Sequence, residues 1–155
     1  MPTMTSTTDR IEKEIRLDSP RSRVWRALTD AKEFGRWFGA EMRGTFTPGA
    51  PTRGTITMKG QEYLIELVVE AMEPERLFSF RWHPFAIDRD ADYSKEPMTL
   101  VTFTLEPVDG GTLLKVAETG FDAIPASRRA IAFEMNTKGW AGQVENVRKY
   151  LAAGG

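Results

Sequence analysis

Between Arg10 and Leu17 the chain alternates. Ile11, Ile15 and Leu17 fall on one face, Glu12, Glu14 and Arg16 on the other. A two-residue period predicts a half-buried strand. Lys13 sits on the apolar face, which fits an edge strand or a snorkelling stem. Asp18-Ser19-Pro20 then ends the alternation. Ser19 suits an N-cap and Pro20 the first helical position, so a short helix is expected, with Val24, Trp25 and Leu28 as its stripe. Asp30, with Glu33 three residues on, has the spacing of a capping box and opens a second short helix. That helix presents Phe34, Trp37 and Phe38, and Gly39 ends it.

A run of strands follows. Residues 40–46 and 53–59 are expected strands, separated by Pro48-Gly49-Ala50-Pro51. Residues 62–72 alternate Tyr63, Ile65, Leu67, Val69 and Ala71 with Glu62, Glu66 and Glu70. Residues 76–82 place Phe78, Phe80 and Trp82 on one face. Residues 83–97 read as a long loop with two prolines and four acids. Residues 98–107 return to strand, Asp109-Gly110-Gly111 makes a hairpin turn, and 112–119 carry Leu114 and Val116.

The last segment has a helical period. Ala130, Phe133, Thr137, Trp140, Val144, Val147 and Leu151 recur at spacings of three and four. Gly139 and Gly142 interrupt it, each at about 1 kcal/mol relative to Ala, which suggests a bend or a close approach to the sheet. The order is α+β. A twisted antiparallel sheet of six to seven strands curls, and a long C-terminal helix can lie in the curl. The two short helices after the first strand would close one end. Incomplete filling between helix and sheet would leave a mostly apolar groove or cavity, as in small-ligand sites.

Composition narrows the chemistry. The 155 residues hold 21 Lys+Arg, 22 Asp+Glu, one His and no Cys, with 41% hydrophobic residues. That size fits one domain, read as 10–153 after a short disordered lead-in at 1–9. The net charge of −1 gives no global pull toward nucleic acid. No run of about 20 apolar residues predicts a membrane span. The first nine residues lack the basic and apolar regions of a signal peptide, so a cytoplasmic location is expected. Absent Cys removes disulfides, thiolate catalysis and Cys-type zinc sites.

Several separated motifs then converge. Asp18-Ser19-Pro20, Val24-Trp25-Arg26-Ala27-Leu28-Thr29-Asp30, Phe34 and Trp37-Phe38-Gly39 resemble the opening signature of the START/Bet v 1-like (SRPBCC) superfamily. More closely, they resemble its bacterial branch related to the activator of heat-shock protein 90 ATPase. Trp82-His83-Pro84, Thr112-Leu113-Leu114, Glu118-Thr119-Gly120-Phe121, and Gly139-Trp140 before Leu151 agree, so the resemblance covers about residues 10–152. It implies a helix-grip fold with an internal cavity and supplies no shared catalytic set. It also brings in a stress-response association.

His83 reads either as a polar group at the cavity mouth or as a loop histidine bonded to backbone. Asp88, Asp90, Asp92 and Glu96 begin a calcium-loop pattern, but Tyr93 stands at its sixth position and Thr99 at its twelfth, so no metal site is assigned. Phe85, Ile87 and Tyr93 fit a lid over the cavity or a small core beneath the loop. Trp37, Phe38, Trp82, Phe121, Phe133 and Trp140 form the aromatic set, mostly core, with Trp37 and Phe38 as the best candidates for a ligand. Glu118 shares the face of Leu114 and Val116. Inward, it is a buried carboxylate needing a partner, with Arg81, Arg128 and Arg129 in reach; otherwise it is a rim residue paired with Arg129. Asn136 and Gln143 flank the helix stripe, facing a ligand or marking the solvent border.

Three functions follow, in order. The first is non-enzymatic binding of a small hydrophobic or amphipathic molecule such as a lipid, polyketide or aromatic metabolite. The second is a protein-partner module modulating a chaperone ATPase. The third is a cyclase or hydrolase using His83 and Glu118 in the same cavity. No cofactor is assigned, and the chain is expected to be a monomer or homodimer.

Overall fold

The computed structural model describes residues 9–86 and 91–154. The strands are β1 (Arg10–Leu17), β2 (Ala40–Arg43), β3 (Pro51–Met58), β4 (Gln61–Glu73), β5 (Leu77–Trp82), β6 (Thr99–Val108) and β7 (Gly111–Thr119). Helices α1 (Arg21–Thr29) and α2 (Ala31–Phe38) follow β1, and α3 (Ala126–Ala152) follows β7 after a 3-10 turn at Phe121–Ala123. The strands form one antiparallel sheet in the order β1-β7-β6-β5-β4-β3-β2. The α+β helix-grip expectation therefore holds: seven strands, a long C-terminal helix, and two short helices after the first strand.

The alternation sets which face is inward. Ile11 and Leu17 of β1, Phe78 and Phe80 of β5, Val101, Phe103 and Leu105 of β6, and Leu114 and Val116 of β7 are all buried. Register carries that face across the sheet: Phe78 pairs with Phe103, which pairs with Val116. Phe34 of α2 meets this layer at Phe80, with ring centroids 6.2 Å apart, and packs on Phe46 at 5.4 Å. A β-bulge between Val69 and Ala71 shifts the β4–β5 register. Such a bulge bends the strand and raises its twist.

Helix boundaries differ in detail from the sequence reading. Pro20 itself is the N-cap of α1, extended at ψ 159, and no side chain caps that end. The Ser19 carbonyl instead accepts from the Thr112 hydroxyl at 2.8 Å, tying α1 to β7. Asp30 caps α2 as expected, accepting from Lys32 N and Glu33 N. Glu33 does not close the box. It turns to Arg23 at 2.7 Å, Arg26 at 3.0 Å and the Tyr150 hydroxyl at 2.8 Å. Charge attraction and a far-helix hydroxyl outweigh the local backbone bond. Gly39 terminates α2 at φ +91, a left-handed conformation open to glycine.

On α3 the buried positions are Ala132, Trp140, Val144 and Val147, while Phe133, Thr137 and Leu151 are half-buried. Ala130 is exposed, so the buried stripe begins at Ala132, two residues later than its spacing predicts. Gly139 and Gly142 do not mark a close approach to the sheet: a Cβ on either would meet nothing within 4 Å.

Candidate functional site

Glu118 is the polar centre of the apolar interior. It is 0% exposed, because β7 carries it on the same inward face as Leu114 and Val116. Oε2 accepts from Trp82 Nε1 at 2.7 Å and from Thr99 Oγ1 at 2.5 Å. Oε1 accepts from Asn136 Nδ2 at 2.9 Å and Trp140 Nε1 at 2.8 Å. Each oxygen therefore receives two bonds, filling the roughly four acceptor sites of a carboxylate. All four donors are neutral. Glu118 forms no ion pair among the described residues, so the arginine partnership expected from sequence is replaced by β5, β6 and α3 donors. Arg81 instead pairs with Glu70 at 3.0 Å. Arg129 donates to the Ile124 carbonyl at 2.9 Å and borders a separate shallow hollow with Phe133.

Two neighbouring hollows, which share Phe38 and Trp82 in their walls, lie beside this cluster. The smaller, about 120 Å³, is lined by Phe38, Trp82, Asn136, Gly139, Trp140 and Gln143. The larger, about 370 Å³, lies between the β3–β4 hairpin and the loop after β5. Ile56, Met58, Tyr63 and Ile65 form its sheet wall, and Phe85, Ala86 and Tyr93 its loop wall. Phe38 and Trp82 line both. The hairpin turn uses Lys59 at φ 51 and Gly60 at φ 77, the pairing of left-handed residues a tight two-residue turn requires.

The loop is anchored at both ends. Arg128, in the first turn of α3, pairs with Glu96 at 2.7 Å and donates to the Pro84 carbonyl at 2.7 Å. Its guanidinium lies 4.8 Å from the Tyr93 ring centroid. His83 lines the larger hollow, and its Nε2 lies 3.2 Å from the Glu96 carbonyl oxygen. It is thus both a loop histidine bonded to backbone and a wall residue. Arg53 and Glu66 at the outer rim pair at 2.7 Å.

The remaining sequence candidates divide. Phe38, Trp82, His83, Phe85 and Tyr93 meet at the larger hollow; Asn136 and Trp140 join Phe38 and Trp82 at the smaller. Trp37 does not face either: it is 4% exposed and its indole donates to the Ala27 carbonyl at 2.8 Å. Phe121 is buried against Phe133, with centroids 5.3 Å apart. Gln143 donates to the Phe38 carbonyl at 2.9 Å, docking the end of α2 on α3. Of the acidic loop, Asp88 and Asp90 lie outside the described residues, as does Ile87; Asp92 accepts from Ser94 N and Glu96 holds Arg128. The sequence reading missed the wall formed by Ile56, Met58, Tyr63 and Ile65. Its signal was present: these strand positions continue the apolar face beyond what one helix can cover.

Residues 18–152 match the family of Activator of Hsp90 ATPase homolog 1-like proteins. The chain belongs to that family. Solved structures agree on the fold. Protein MLL2253 from Mesorhizobium loti is 26% identical, with a TM-score of 0.72 over 93% of this chain and 97% of that one. DynU16, from the dynemicin biosynthetic locus, is 25% identical with a TM-score of 0.72, over 94% of this chain and 48% of its own. The Aha1 dimer from Colwellia psychrerythraea is 15% identical with a TM-score of 0.65, over 90% and 92%. No curated protein matches the chain significantly. Within the described residues, no helix is long and apolar enough to cross a membrane.

Proposed function

We propose that this protein binds a small, mainly apolar molecule in the groove formed by the two hollows. The observation that carries the reading is the larger hollow: about 370 Å³, within the usual range for small-ligand sites, with walls of Phe38, Ile56, Met58, Tyr63, Ile65 and Trp82. Buried apolar area would supply the affinity, at about 25 cal/mol for each Å² removed from water. His83, beside the Arg128-anchored loop, supplies a polar contact that orients the bound molecule. Family membership supports this reading through the fold. The catalytic alternative has less behind it, because both oxygens of Glu118 are already engaged by protein donors.

Native mass spectrometry of the freshly purified protein, before and after solvent extraction, tests the reading. The expected result is a mass excess that extraction removes. Titration of the extracted protein with a panel of aliphatic and aromatic amphiphiles should then quench tryptophan fluorescence, since Trp82 borders both hollows. Ile56→Trp, which fills the sheet wall, should abolish the response. Absence of both the mass excess and any quenching across the panel overturns the proposal. Stimulation of a bacterial chaperone ATPase by the extracted protein, with no amphiphile bound, would favour the partner-module reading instead.

A further inference from the structure

The smaller hollow has its own chemistry. Phe38, Trp82 and Trp140 surround it, with ring centroids 5.8 Å apart for Phe38–Trp82, 5.8 Å for Trp82–Trp140 and 6.3 Å for Phe38–Trp140. Both indole N–H groups point away from the space and into Glu118. The carboxylate therefore lies directly behind the aromatic wall, buried and without a cationic partner among the described residues. A protein interior rarely carries a full negative charge against neutral donors alone, because desolvation of that charge is costly.

We infer that this hollow receives the cationic head of the ligand, a protonated amine or a methylated ammonium, whose apolar portion occupies the larger hollow. The inference rests on the groove-binding reading and adds the ligand's charge class to it. Three features combine. An aromatic face attracts a cation through its ring quadrupole, most strongly for tryptophan. An indole whose N–H donates to a carboxylate is polarised so that its ring becomes more electron-rich. The charge of Glu118 adds an attraction that the surrounding low dielectric leaves little screened. The remaining lining fits the same guest: Asn136 and Gln143 each give one N–H to a protein acceptor, and no lysine or arginine lines the hollow to hold an anion.

Size and access agree. About 120 Å³ is several times the roughly 30 Å³ that a water occupies in the liquid. Gly139 lies on the rim with nothing within 4 Å of a Cβ position, so the helix leaves the entrance open there. The charged pair on the wall of the larger hollow is already satisfied, Arg53 with Glu66. No other fixed cation competes for the hollow among its lining residues.

Isothermal titration of the extracted full chain with three probes of equal tail length tests this: octyltrimethylammonium, 1-octanol and octyl sulfate. The ammonium probe should bind at least about tenfold tighter than the alcohol, and the sulfate weaker than both. Glu118→Gln should collapse the ammonium-to-alcohol ratio toward one. Should that variant unfold, Phe38→Leu, at a half-buried position, should still lower the ratio. Equal affinities for all three probes, or a preference for the sulfate, overturn the cationic head while leaving the groove reading intact. No binding of any probe overturns both. A ratio unchanged in Glu118→Gln and Phe38→Leu places cation recognition elsewhere and overturns this assignment.

Discussion

Thr99→Val isolates one strut of the buried carboxylate. Thr99 is 0% exposed and its hydroxyl donates to Glu118 Oε2 at 2.5 Å. Valine keeps the branched shape and suits a strand, so packing on β6 is retained while the donor is lost. A hydrogen bond to a charged acceptor contributes about 1.5–3 kcal/mol. Oε2 keeps the Trp82 indole bond, so the acceptor is not orphaned and a loss of about 2 kcal/mol is expected. For a chain of this size that corresponds to a fall in Tm of roughly 4–8 °C. Equilibrium urea unfolding should show a lower midpoint with an unchanged slope. Thr102→Val serves as the control. It sits on the same strand but on the outer face, paired with Ala117, and should stay within about 0.5 kcal/mol of the parent. Combining Thr99→Val with Glu118→Gln should give non-additive losses, since the two residues are in contact. If Thr99→Val matches Thr102→Val, the four-donor account of Glu118 is wrong.

Three further substitutions probe the rest of the fold. Burial works to raise the Glu33 carboxyl, but the Tyr150 hydroxyl and the Arg23 guanidinium outweigh it and hold the group below its ordinary 4.5. A folded value below the unfolded one means the stabilisation is complete above pH 4.5 and is lost as pH falls through the folded value. The stability advantage over Glu33→Gln should therefore shrink on acidification in that window; a difference constant with pH would contradict it. The glycines give a contrast. A Cβ at Gly111 would stand 1.9 Å from the Leu17 carbonyl oxygen, so Gly111→Ala should cost more than about 3 kcal/mol by forcing β1 from β7. Gly142, with open space around its Cβ position, should gain about 0.4–1 kcal/mol as alanine. Thermal melts of both variants read the contrast directly.

Much of the fold was legible because its signals are local. The alternation of β1 and β6, the Asp30 cap and the Gly39 stop each depend on a few neighbouring residues, and each stands in the structure as the sequence implied. The inward face of Glu118 followed from the same period as Leu114 and Val116. Its partners did not, because they come from three other elements 18 to 36 residues away along the chain. Charge complementarity suggested arginines, yet Arg81 faces outward on β5, one residue from the inward Trp82, and pairs across the strand with Glu70. A one-residue step on a strand reverses the face. The indole donors were invisible for a related reason: tryptophan was read for its apolar area, while its N–H direction is set only by the assembled sheet. The wall at Ile56 and Tyr63 was missed because its apolar alternation is the same signal that a fully covered core face gives.

The Glu118 cluster also explains how the long helix is held in one place. An apolar stripe on α3 could slide or rotate by a fraction of a turn at small cost, since apolar contacts have little directionality. Asn136 and Trp140 are four residues apart, on one face, and both donate to the same oxygen of Glu118. Two directional bonds from successive turns fix both the rotation and the height of the helix over β7. Trp82 and Thr99 fix the carboxylate from the other side, so β5, β6, β7 and α3 share one pin. Three residues of this pin, Trp82, Asn136 and Trp140, also wall the smaller hollow. Their side chains are consequently pre-set before any guest arrives, which lowers the ordering cost of binding. The same economy constrains the sequence: a change at Trp82, Asn136 or Trp140 alters helix position and groove shape together, so neither can vary alone.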